Sequence, residues 1–174
     1  MALTATTNLI ISSLTIIGQL IIVDLLISFI ARNQKFSNSL IQFFGKNALV
    51  FAFVVALIAT VGSLFYSEII GFEPCKLCWF QRIFMYPLPI IFGIALKKKD
   101  FKIKDYSIPL AVIGALIAAY HYLVQVFQFT TSCGADSEVP CNIVFSFELG
   151  YITIPMMALT AFILIIILMS KKST

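Results

Sequence analysis

Residues 161–169 read AFILIIILM, a run of apolar side chains with no polar residue among them. A membrane β-strand alternates lumen-facing and lipid-facing residues, so this run fits no barrel strand and reads as part of a spanning α-helix. Crossing a hydrocarbon core of about 30 Å takes about 20 helical residues. Residues 9–31, 48–70, 79–96, 108–129 and 151–169 are each long and apolar enough. The chain has 174 residues, 60% of them apolar and 11% charged, and a soluble core could not bury so much apolar surface. The expected fold class is an all-α membrane protein.

Charge sets the expected orientation. Arg32, Lys35 and Lys46 lie between the first two spans, Lys97, Lys98, Lys99, Lys102 and Lys104 between the third and fourth, and Lys171 and Lys172 after the fifth. The positive-inside rule makes these segments cytoplasmic, with the amino terminus outside and the carboxyl terminus inside. The first positive charge follows the first apolar stretch, so a cleavable signal peptide is not expected. The lysines are accounted for by topology and anionic lipid, and the net charge of +4 gives no reason to expect nucleic acid as a partner.

The orientation argument uses no cysteine, yet all four cysteines fall on the same face. Cys75 and Cys78 precede the third span in GFEPCKLCWFQR, residues 71–82, and Cys133 and Cys141 lie between the fourth and fifth spans. Cysteines confined to an oxidising face point to disulfide chemistry, with three possible pairings. Two structural staples are one reading. A Cys-x-x-Cys bridge closes too small a ring to remove much entropy from the unfolded chain, which favours a redox role. Pro74 leads into the third span, whose amino-terminal N–H groups stabilise a thiolate. Arg82, four residues after Cys78, projects from the same side and can support a thiolate or a reduced ligand, or can act as an interfacial anchor. No metal is expected. Trp79 stands where a c-type haem attachment needs histidine, and the seven residues within CGADSEVPC do not suit a four-cysteine zinc site.

In the fourth span, His121, Gln125 and Gln128 fall within an arc of about 60° at 100° per residue, a polar stripe expected to face the bundle interior. His121 either donates to something bound between helices or is a satisfied buried imidazole; the glutamines read as interhelical hydrogen-bonding groups. Pro87 and Pro89 should make the third span irregular. Asp24, within the first span, should face another helix, carry a proton or approach Arg32.

The motif CKLCWFQR resembles the bacterial DsbB/BdbC family of thiol:quinone oxidoreductases. The resemblance runs over about residues 46 to 170 and includes both cysteine pairs, the YPL that follows Arg82, His121, and the LG-x-I-x-x-P element from Leu149 to Pro155. It implies a four-helix redox domain over residues 47–174, preceded by an added helix and basic loop over residues 1–46. It also implies a bacterial cytoplasmic-membrane enzyme that reoxidises a thioredoxin-like extracytoplasmic oxidase, DsbA- or BdbD-like, and reduces ubiquinone or menaquinone. On that reading Cys78 is the quinone-proximal thiolate and Cys75 its partner; Cys133 is attacked by the oxidase, and Cys141, its partner, exchanges with Cys75. Arg82, His121 and Cys78 would then contact the quinone. A vitamin K epoxide reductase-like protein is disfavoured because there the Cys-x-x-Cys follows the loop pair. A membrane protein with stapled external loops would leave Arg82 and the helix-start dithiol unexplained.

Overall fold

The computed structural model describes residues 2–30, 45–128 and 139–170. Lipid offers no hydrogen bonds, so each apolar run satisfies its own backbone as a helix. Helix α1 spans Ala2–Ile30; α2 spans Ala48–Leu64 and continues into a π-turn, Phe65–Ile69. Then come α3 (Lys76–Met85), α4 (Pro87–Lys98), a 3₁₀ turn (Phe101–Ile103), α5 (Lys104–Phe127) and α6 (Ile154–Ser170). Among the described residues there is no strand, only an isolated antiparallel bridge between Glu148 and Ile152. Four apolar helical stretches, Thr4–Ile27, Ala48–Ile69, Lys76–Lys98 and Phe101–Phe127, are long enough to cross a membrane, and the apolar α6 is shorter at 17 residues. The chain is an all-α membrane protein.

Several boundaries differ from the expected spans, among them the start of α6, at Ile154 rather than residue 151, because Tyr151 and Ile152 are held in a turn by Glu148. Helix α1 begins at Ala2 rather than at residue 9, because Thr4, Thr6 and Thr7 lower hydropathy without interrupting a helix. The third span divides at Tyr86, where Pro87, lacking an N–H, takes the first position of α4. The break is slight, since Tyr86 N still donates to Arg82 O at 2.9 Å. Helix α5 stops at Phe127, because Gln128 turns left-handed with φ 52° and leaves the helical stripe.

Burying apolar surface against lipid gains little, so these helices associate through close fit and polar bonds. On α2 the small residues Ala48, Ala52 and Ala56 recur every four positions and are all buried. That stripe lets α4 and α6 approach closely. The most extensive helix pair is α5 with α6. There Ala111, Gly114 and Ala118 form a hollow for the fully buried ring of Phe162, and a Cβ at Gly114 would collide with that ring. Helix α1 lies against α6, where Gly18 faces the Thr160 methyl and Gln19 Nε2 donates to Thr160 Oγ1 at 3.4 Å. Asp24 does not face another helix, as one reading had expected; it sits on the exposed side of α1, one turn before the end of the apolar stretch at Ile27. Arg32 lies outside the described residues.

Gly114→Ala should therefore destabilise the bundle by about 1–3 kcal/mol, the usual cost of overpacking. Thermal unfolding in detergent micelles is the measurement, and a midpoint unchanged from the parent would contradict this packing.

Candidate active site

The site begins where the π-turn ends. Gly71, at φ 81°, reverses the chain into an extended segment that reaches Cys75, the N-cap of α3, in a β conformation. Cys78 follows in the first turn, and the two sulfurs lie 3.3 Å apart as unbridged thiols. Cys75 is buried and Cys78 half-buried. Cys141 is buried in the same apolar cluster as Cys75 and Val124, with Leu77, Cys78 and Val139 against it, and is disulfide-bonded. Cys133 lies outside the described residues.

His121 joins the two cysteine-bearing segments. Its Nε2 is 3.0 Å from the Cys141 carbonyl oxygen and 3.7 Å from Cys75 Sγ. Its Nδ1 is 2.8 Å from Gln81 Nε2. An amide nitrogen only donates, so Nδ1 accepts and the ring proton sits on Nε2, facing the carbonyl and the sulfur. With His121 1% exposed and Gln81 6% exposed, this is a satisfied buried imidazole that also touches the dithiol. The Cys78 thiol beside Cys75, and after it the His121 ring, outweigh burial and hold the Cys75 thiol down at about 4.

The expected polar stripe divides. Gln125 Nε2 donates to Ile143 O at 2.9 Å, and Gln128 Nε2, beyond the helix end, to Asn142 O at 3.3 Å and Gln125 O at 2.7 Å. Both glutamines therefore hold the segment after Cys141 rather than a neighbouring helix.

Arg82 points elsewhere. One residue beyond Gln81, it sits about 100° further round α3. Its Nε donates to Ser63 Oγ and its Nη2 to Ser63 O, each at 3.1 Å, and Tyr86 OH donates to Ser63 Oγ at 3.2 Å. The guanidinium lies 5.2 Å from the Trp79 ring centroid and 5.9 Å from that of Tyr86, within cation–π range. Trp79, Arg82, Ile83, Tyr86, Pro87 and Ile90 line a groove of about 410 Å³. Ile83 and Ile90 are exposed on this membrane-spanning stretch, so the groove opens toward lipid. His121 is not among its lining residues.

Sequence reasoning assigned no role to Gln81 or Ser63. Gln81 carried a usable signal, an uncharged amide in an apolar helix, three residues after Cys78. Ser63 carried none, because a lone serine in a span usually bonds its own helix.

The thiols and His121 form the one cluster of potential metal ligands among the described residues. With His121 Nε2 protonated toward Cys141, the arrangement is that of a dithiol with a hydrogen-bond donor beside it.

A family model described as disulfide bond formation protein DsbB matches residues 45–170. Similar relatives include disulfide bond formation protein C of Bacillus subtilis, 52% identical over 128 residues that cover 71% of this chain and 93% of the relative. A probable disulfide formation protein C of Bacillus cereus is 50% identical over 119 residues, 68% of this chain and 86% of the relative. An SPbeta prophage-derived disulfide bond formation protein B of Bacillus subtilis is 43% identical over 136 residues, 73% of this chain and 90% of the relative. No solved structure matches. With the family match running from just before α2 to the end of α6, and half of the aligned residues shared with named disulfide formation proteins, the chain belongs to the DsbB family of disulfide bond formation proteins.

Proposed function

We propose that the chain is a thiol:quinone oxidoreductase of the bacterial cytoplasmic membrane, reoxidising a thioredoxin-like oxidase on the extracytoplasmic face. The observation that carries this reading is the arrangement around α3. One side meets the Cys141 segment through His121, while the other, a turn after Cys78, presents Arg82 to a lipid-open groove.

Disulfide exchange fits the first side. The oxidase's dithiol attacks the external pair at Cys133, and reduction of that disulfide leaves two electrons on Cys133 and Cys141. Exchange of Cys141 with Cys75 then moves the electrons to the Cys75–Cys78 dithiol, one disulfide being reduced as the other forms. His121 contributes the Nε2–H that holds the Cys141 carbonyl beside Cys75, and it stabilises the Cys75 thiolate in each exchange. This is a different task from the quinone contact that the resemblance suggests for His121.

The groove suits a quinone head group, being walled by aromatic and aliphatic side chains with one cation held in place. A quinone there would supply a two-electron, two-proton acceptor. Arg82, fixed by Ser63 and flanked by two rings, keeps a positive charge where negative charge develops, near Cys78. Residues 1–46 are then an addition to a four-helix redox domain of residues 47–174.

Reconstituted with a reduced thioredoxin-like oxidase and a quinone, the protein should couple thiol oxidation to quinone reduction, and Cys78→Ser should abolish the coupling. Normal turnover by that variant would sink the electron path. Arg82→Ala should lower quinone reduction about 100-fold, the scale of losing one electrostatic stabiliser. Arg82→Lys should rescue it only in part, because an ammonium cannot reproduce the paired contacts to Ser63.

The depressed Cys75 thiol adds a pH signature. The reactive form is the thiolate, so in reduced protein its ultraviolet absorbance should persist on acidification and disappear as pH falls through about 4. A titration centred near the ordinary thiol value of about 8.5 would contradict the placement of Cys78 and His121 beside Cys75.

A further inference from the structure

Helix α1 precedes the family match, yet its outer end makes specific bonds to the machinery that follows. Asn8 is 8% exposed and binds two elements at once. Its Oδ1 accepts from Tyr66 OH at 2.9 Å, and its Nδ2 donates to Glu148 Oε1 at 3.3 Å. Tyr66 belongs to the π-turn, the segment from which the chain runs to Cys75. Glu148 belongs to the segment between Cys141 and α6, where it exchanges backbone hydrogen bonds with Ile152 at 2.9 Å each.

An aromatic ladder joins the same two segments. The Tyr66 ring stacks on Phe72 with centroids 5.8 Å apart, and Phe72 stacks on Phe145 at 4.9 Å. Phe72 lies three residues before Cys75, and Phe145 four residues after Cys141. Asn8 thus orients Tyr66, the root of the ladder, while anchoring Glu148 beyond its far end. One turn along α1, Ile11 closes against Gly62, next to the Ser63 that holds Arg82.

We propose that Asn8 is a positioning residue: bonded to Tyr66 and Glu148, it holds the Cys75 and Cys141 segments in register for thiol–disulfide exchange. Its meaning for turnover rests on the electron path proposed above; the juxtaposition itself does not.

The test uses the full-length chain in detergent micelles with Cys78→Ser and Cys133→Ser, which leaves Cys75 and Cys141. Equilibration with glutathione and glutathione disulfide forms the Cys75–Cys141 bridge. Each bridge formed reduces one glutathione disulfide to two glutathione molecules, so the bridged fraction reports the effective concentration of one thiol at the other.

Asn8→Ala cuts the bonds to both Tyr66 and Glu148, so it should lower that effective concentration at least about fivefold, the weight of one net hydrogen bond. Tyr66→Phe keeps the ladder and the Asn8–Glu148 bond and removes one hydrogen bond, so it should cost about fivefold, and the double variant should lose little more than Asn8→Ala alone. Gln19→Ala cuts the bonds from α1 to Thr160 and Tyr151 but leaves those of Asn8 to Tyr66 and Glu148, so it should lower the value less than about twofold. Tyr66→Phe also serves as the reading if Asn8→Ala does not fold. A parent that forms no bridge, an Asn8→Ala value within twofold of the parent, or an equal fall in Gln19→Ala would overturn the proposal. The assay contains neither quinone nor oxidase. A fivefold loss here alongside absent quinone reduction would therefore keep the clamp and discard the electron path.

Discussion

Close to the membrane surface, where the chain after Cys141 has no strand to pair with, its carbonyl groups need donors. Helix α5 supplies them in sequence: His121 Nε2 lies 3.0 Å from the carbonyl of Cys141, Gln125 Nε2 bonds Ile143 at 2.9 Å and Gln128 Nε2 bonds Asn142 at 3.3 Å. A buried carbonyl left without a partner costs about 1–3 kcal/mol, which applies to Cys141, the buried residue of the three; the bonds to Ile143 and Asn142 lie nearer the surface and guide the chain beyond it. His121 does most, because the same Nε2 faces Cys75 Sγ. Two stretches separated by more than sixty residues of chain thereby share one proton donor. The proposed exchange between Cys141 and Cys75 depends on that shared imidazole.

Helix α3 divides the remaining chemistry between neighbouring residues. Gln81 turns inward and fixes the His121 tautomer, while Arg82 turns outward to the groove between Trp79 and Tyr86. Because Ser63 and two rings already hold the guanidinium, little rotamer freedom remains to be lost when an anionic group forms nearby. In the proposed mechanism the His121 side places the proton, and the Arg82 side stabilises charge at the groove. The break at Pro87 falls one turn beyond Arg82 and lines that groove, so the proline that interrupts the span also shapes it.

Helices were legible in the sequence because lipid leaves an apolar run no other way to satisfy its backbone, as AFILIIILM illustrates. Their ends were less so: the threonines before Asn8 are helical, and Gln128 leaves the helix that its spacing had assigned it to. Linear spacing placed Cys75, Cys78 and Arg82 on one short helix or at its cap, but it did not show that Arg82 turns away from the thiols toward Ser63 and the groove. His121 was read as either a donor to something bound or a satisfied buried imidazole; which carbonyl and which glutamine satisfy it depends on how α3 and α5 pack. Ser63, Asn8 and Tyr66 were silent for a related reason. Each acquires its role from a residue on another helix, and one sequence holds no record of that pairing.

Helix α1 shows how such pairings arise in a bilayer. Most of its surface is apolar, and Leu9, Ile10, Ile17, Leu20 and Ile27 remain exposed to lipid. Apolar contact cannot fix a helix's rotation or height there, because lipid tails offer the same contact everywhere. Polar groups can, since each has few places in the membrane where it is satisfied. Asn8 finds Tyr66 and Glu148, and Gln19, about three turns deeper, finds Tyr151 and Thr160. Two such points fix both rotation and depth, and Gly18 permits the close approach between them. A helix fixed in this way can transmit its position to whatever it is bonded to. Here that is the π-turn leading to Cys75 and the segment following Cys141, so a helix that precedes the family match bonds both of the segments whose thiol–disulfide exchange is proposed above.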